Sequence, residues 1–127
     1  MMRVLLINEA SGAGVGRHVI DLCRGLLARQ IEVHLIYSPL RMDRTFELAM
    51  QRMPKLRTLA IPMRTGPHPS DAAICYRIRR YMQHHGPFEV VHGHSSKGGA
   101  LARLICTVSS SRSVFTPHAS IVMNPSL

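Results

Sequence analysis

The chain of 127 residues has no tryptophan, only three tyrosines and three phenylalanines, three cysteines and seven acidic residues. So few aromatic rings leave little surface on which successive bases could stack, which argues against a single-stranded nucleic-acid binder. No apolar run approaches the roughly 20 residues that a membrane span needs. A secretory leader is not legible either. Arg3 is followed by only Val4 to Ile7 before Asn8 and Glu9, whereas a leader carries an apolar region of roughly 7–15 residues. A cytoplasmic location is therefore the expectation. Cys23, Cys75 and Cys106 are odd in number, far apart and without a CxxC pair. Each falls in an apolar helical pattern, so buried, reduced thiols are expected rather than a disulfide or a zinc site.

Sixteen Lys and Arg against the seven acids give a formal charge of +9 and a pI near 10.8. Such a surface favours anionic partners: nucleic acid, acidic headgroups or phosphorylated small molecules. Charge alone does not choose among them, and a solvated basic face without a partner is the plain alternative. The length suits one domain.

Strands and helices alternate along the chain. Arg3 to Asn8 is a continuous apolar run ending in a polar residue, as in strands buried on both faces. Val15, Val19, Leu22, Cys23 and Leu26 then recur at helical spacing, with Arg17 and Arg24 off that stripe. Glu32 to Tyr37 reads as a second strand stopped by Ser38-Pro39. Met42, Phe46, Met50 and Met53 mark a helical segment ended by Pro54. Leu56 to Ile61 is a third strand, and Pro62 to Pro69 a loop. Ser70 or Asp71 is expected to cap a helix whose buried stripe is Ile74, Ile78, Tyr81 and Met82. Phe88 to His92 is a fourth strand, Leu101, Leu104, Ile105 and Val108 a helix face, and Ser113 to Thr116 a fifth strand. This order predicts an α/β fold, a parallel sheet of about five strands wound on both sides.

Ligands of such sheets bind beyond the carboxyl ends of the strands. Four turns qualify: after Asn8, at Ser38, from His92 to Lys97, and at His118. In the first, Ser11-Gly12-Ala13-Gly14-Val15-Gly16-Arg17-His18 puts glycines before a helix start, where backbone N–H groups can meet an anion. The dinucleotide fingerprint fails because Arg17 stands in place of its third glycine. The P-loop fails because Ser11, Arg17 and His18 replace its first Gly, its Lys and its hydroxyl residue. A tight turn that only packs helix on strand is the competing account. In the third turn, alternation places His92 and His94 on one side if the strand extends that far. With His118 they could form a zinc trio, but no acidic or Cys ligand stands near in sequence. His92 reads as a core residue, and His94 or Ser95 could simply cap the following helix.

Taken in order, Arg3–Asn8, Gly14–Val19, Glu32–Ile36, Val90–Gly99 and Phe115–His118 resemble the N-terminal domain of family-four retaining glycosyltransferases. These have the two-domain GT-B fold. Ser95-Ser96-Lys97-Gly98 is especially like bacterial members that build exopolysaccharide, capsule or lipopolysaccharide. The resemblance implies that residues 1–127 form a Rossmann-like, acceptor-side domain. It also implies that a second, nucleotide-sugar-binding domain is absent from this chain. Gly14, Gly16 and Arg17 would then lie against the donor's diphosphate. His118 would face the donor sugar as the catalytic residue, and His94, Ser95 and Lys97 would border the acceptor. A nucleotide-sugar is the implied donor, and a lipid-linked or saccharide molecule the acceptor. No metal or other cofactor is implied. Docking at the inner face of an anionic membrane is a further expectation, and nucleic acid is not a partner in this reading. Gln30 departs from the family, which usually ends the first helix with Gly; a left-handed cap there would strain Gln30 by roughly 1 kcal/mol. Ser109 to Arg112 replaces a Gly-containing turn. The alternative from another class is a non-catalytic module for phosphate ligands or nucleic acid.

Overall fold

The computed structural model describes residues 2–9, 13–64, 68–94, 100–103 and 112–116, with the backbone path alone at 13, 14, 41 and 112–116. Five parallel strands form one sheet in the order β3-β2-β1-β4-β5. They are β1 (Arg3–Asn8), β2 (Glu32–Tyr37), β3 (Arg57–Ala60), β4 (Val90–His94) and β5 (Arg112–Thr116). The helices are α1 (Ala13–Ala28), α2 (Arg44–Gln51) and α3 (Asp71–His85), and residues 100–103 are also helical. This is the doubly wound α/β architecture that the alternating pattern predicts.

Alternation along each strand divides the core into two layers. Val4, Leu6, Val33 and Leu35 pack under α1 and α2 with Val19, Ile20, Cys23 and Phe46. Leu5, Ile7, Ile36 and Val91 face the other way, onto Ile74 and Ile78 of α3 and onto Leu101 and Ala102. Each such side chain contributes about 1.5–3 kcal/mol when fully buried. β1 is central and pairs residue for residue with β2 and β4, so that Asn8 stands beside both Tyr37 and His94.

α1 ends in a left-handed turn. Gln30 has φ 63°. The Gln30 N–H donates to the Leu27 carbonyl and the Ile31 N–H to the Leu26 carbonyl, at 3.0 and 3.1 Å. That pair of bonds is a Schellman closure, with Ile31 and Leu26 both packed on the same core layer.

Three local expectations need correction. β4 begins at Val90 and not at Phe88. Phe88 is buried ahead of the strand, its ring edge-on to His34 with centroids 4.9 Å apart. Neither Ser70 nor Asp71 caps α3 as expected. Ser70 occupies the cap position without a capping bond. Its hydroxyl meets His68 Nδ1 at 2.7 Å, while Asp71 Oδ2 accepts the His68 N–H at 3.1 Å. Gly14 and Gly16 are helical residues, because α1 already includes Ala13 to Gly16; Gly12 lies outside the described residues. Cys23 and Cys75 are free thiols, buried and half-buried; Cys106 lies outside the described residues.

Candidate functional site

The carboxyl ends of β1, β2 and β4 bring together the polar residues that follow each apolar run. Asn8 closes β1 and is wholly buried, as is His94 at the end of β4; Glu9 is 4% exposed. Asn8, His92 and His94 share the strand parity of Leu6 and Val90, the layer that packs under α1. The His92 and His94 rings lie 4.1 Å apart at 30°. β4 therefore runs far enough to put both imidazoles on one side. The His18 ring, on an exposed position of α1, is 5.8 Å from that of His94. Three imidazoles thus meet where the second turn of α1 passes the end of β4. Among the described residues, no three His, Cys, Asp or Glu side chains are grouped to hold a metal ion.

The first turn of α1 carries the glycines. Gly14 lies among the opening residues of the helix, whose N–H groups lack partners within it. Gly16 is buried and Arg17 exposed. Both line a cleft of about 430 Å³ between α1 and α2, with Ile20, Asp21, Arg24, Asp43, Thr45, Phe46 and Ala49. Arg17 therefore borders α2, while the next residue, His18, borders the β4 imidazoles. The Gly-rich segment supplies two different surfaces.

Ser38, at the end of β2, has a structural task. Its buried hydroxyl accepts the Met63 N–H at 3.1 Å and donates to the Met63 carbonyl at 3.3 Å, tying the β2 turn to the segment that follows β3. Among the residues proposed from sequence, His94, Gly14, Gly16 and Arg17 are thus placed at or beside the carboxyl edge. Ser95, Lys97 and His118 lie outside the described residues. Glu9 and His18 were not singled out from sequence. His18 had one available signal: it lies next to Arg17 in a helix start already marked as a ligand turn.

A family model, Glycosyltransferase Family 4, matches residues 12–126. That is nearly the whole chain and includes the α1 turn, both β4 imidazoles and β5.

The chain belongs to glycosyltransferase family 4.

The fold agrees. A crystal structure of MurG from Acinetobacter baumannii superposes with a TM-score of 0.64 at 14% identity, covering 91% of this chain and 34% of that one. The family-4 chain thus spans about a third of the MurG length. At that identity the likeness establishes a shared Rossmann-like layer order. No curated protein matches the sequence. No helix among the described residues is long and apolar enough to cross a membrane.

Proposed function

We propose that this domain forms the acceptor side of a retaining glycosyltransferase that moves a hexosyl group from a nucleotide-sugar to a lipid-linked or saccharide acceptor. The work would belong to bacterial surface polysaccharide synthesis. The observation that carries the reading is the meeting of His18, His92 and His94 beside Asn8 at the carboxyl edge of β1 and β4. Imidazoles and a carboxamide can hold sugar hydroxyls, and an imidazole can also take or give a proton near neutral pH.

In this reading the donor's diphosphate approaches the start of α1, against Gly14 and Gly16, with Arg17 as counter-charge. His118 faces the donor sugar as the catalytic group. His94, Ser95 and Lys97 border the acceptor. A second Rossmann-like domain grips the nucleotide, so residues 1–127 alone complete no transfer: half of the cleft that orients donor and acceptor is then lacking. Protein groups, rather than a metal ion, offset the charge of the departing nucleoside diphosphate. The enzyme is cytoplasmic and rests against the inner membrane face.

The test is made on the full protein by following nucleoside diphosphate release from sugar nucleotides with a lipid-linked acceptor. His118→Ala and His94→Ala should each lower kcat/KM by about 10²-fold or more, with chelator leaving the wild-type rate unchanged. The reading fails if both variants transfer sugar at the wild-type rate.

A further inference from the structure

The three imidazoles at the carboxyl edge are not equally open to a ligand. His94 has no exposed surface, and His92 is half-buried on the same strand. His94 therefore offers no face to an acceptor, although its place in the sequence puts it on the acceptor border. His18 is exposed, and its ring lies 5.8 Å from that of His94, inclined at 58°. Behind His94 the backing is dense. The His92 ring is 4.1 Å away, and buried Asn8 is the β1 residue in register with it.

Helix geometry explains why the front of His18 is open. Side chains of a helix lean over the turn that precedes them, so His18 extends towards the start of α1 and the carboxyl edge of the sheet. Gly14 stands four residues earlier on the same face of α1, and a glycine has no side chain to cover the ring. Arg17, one residue earlier and about 100° round the helix, lines the cleft against α2 instead. His18 thus has packed imidazoles on one side and solvent on the other.

We infer that His18 is the imidazole that touches the acceptor, and that buried His94 is a positioning residue acting through it. The inference rests on the glycosyltransferase reading above and names a group that the sequence resemblance did not assign. A neutral imidazole carries one donor and one acceptor nitrogen, so either tautomer can hold a sugar hydroxyl. What His18 supplies is orientation of that hydroxyl towards the donor sugar. A displacement of about 1 Å in a reacting group can cost on the order of 10²-fold in rate. Truncating His94 removes the ring against which His18 rests, so the hydroxyl held by His18 shifts with it.

Transfer kinetics on the full protein, with a polyprenyl-diphosphate-linked monosaccharide as acceptor, separate the roles. His18→Ala should lower kcat/KM for the acceptor by about 10²-fold and leave the donor's KM unchanged. His18→Gln keeps a hydrogen-bonding amide near the position of the ring Nε2 and should recover about tenfold of that loss. Adding His94→Ala to His18→Ala should cost nothing more, because a residue that acts through another has no effect once the other is gone. Wild-type transfer by His18→Ala, or losses that multiply in the double variant, would overturn the inference. The wider reading is judged by His118→Ala and can stand when this inference fails. A second measurement needs no substrate. Diethyl pyrocarbonate modifies imidazoles that solvent reaches, whereas a buried ring reacts only when the structure opens, so mass spectrometry should find His18 modified about tenfold faster than His94, or more. Equal rates at the two rings would show His94 to be open to a ligand and would also overturn the inference.

Discussion

Gln30 holds a backbone angle that costs most side chains about 1 kcal/mol, because Cβ crowds the carbonyl oxygen. The cost is tolerated because the turn satisfies two carbonyls at the end of α1 and seats Ile31 on the core. Gln30→Gly should therefore raise unfolding stability by about 0.5–1 kcal/mol, less what glycine's freedom in the unfolded chain returns. A denaturant titration checks this, and a loss of stability would show that the Gln30 side chain contributes more than the strain costs. At Gly86 the outcome reverses. An added Cβ would stand 2.5 Å from the Met82 carbonyl oxygen, and that oxygen already accepts the Gly86 N–H at 2.8 Å. Single residues of this kind were legible when their role is local, as the strained position of Gln30 was. Cys23 is another: its burial is plain from the helical stripe, and burial pushes its thiol up to about 12, too high to react readily. His34 was not legible. Its partner Tyr81 is 47 residues away, and no spacing within β2 points to it.

Among the elements, β1 and β2 were the easiest to read, because they are buried on both faces and so appear as largely apolar runs; the exposed edge strand β3 is shorter than the expected Leu56 to Ile61. The parallel winding of the strands was legible, and their order, β3-β2-β1-β4-β5, came from the structure. Boundaries set by tertiary contact were not readable. Phe88 looks like the first strand residue, yet its ring serves His34, and β4 starts two residues later. Helix caps divided in the same way. Asp43 was not marked from sequence, yet its carboxylate accepts the Phe46 N–H at 2.8 Å and so opens α2. Ser70 looks like a cap, yet a nearby histidine engages its hydroxyl. This contrast is measurable. Asp43→Ala should cost about 1 kcal/mol, the usual value of a working cap, and Ser70→Ala less than half of that. Paired chemical denaturation of the two variants decides it; equal losses would mean that the Asp43 bond adds nothing. At the ligand edge, the same logic explains why His94 was found and His18 was not: a strand end announces itself by its position, whereas a helix face is revealed only when its neighbour is in place.

At the scale of the whole molecule, part of the +9 charge is gathered on one helix. On α3, Arg77, Arg80 and His84 recur at spacings of 3 and 4, and Arg79 stands beside them, all exposed. Tyr76 is 61% exposed on the same helix, and the Arg80 guanidinium lies 5.9 Å from its ring centroid. A basic face with an aromatic ring at its border suits the headgroup region of an anionic membrane, where a lipid-linked acceptor would also be found. Each arginine near such a surface contributes about 1 kcal/mol. Three together amount to about 3 kcal/mol, on the order of a hundredfold in partitioning. The attraction is purely electrostatic in this account, so it must fade with salt, since the Debye length shrinks from about 10 Å at 0.1 M to about 3 Å at 1 M. Sedimentation of the full protein with vesicles separates this from a merely solvated helix. Vesicles with anionic lipid should pull down the wild type at low salt and release it at high salt, and neutral vesicles should not bind. Arg77→Glu with Arg80→Glu should abolish the difference, because both carboxylates would then face the headgroups. Equal binding to neutral and anionic vesicles would assign the charge of α3 to solubility alone.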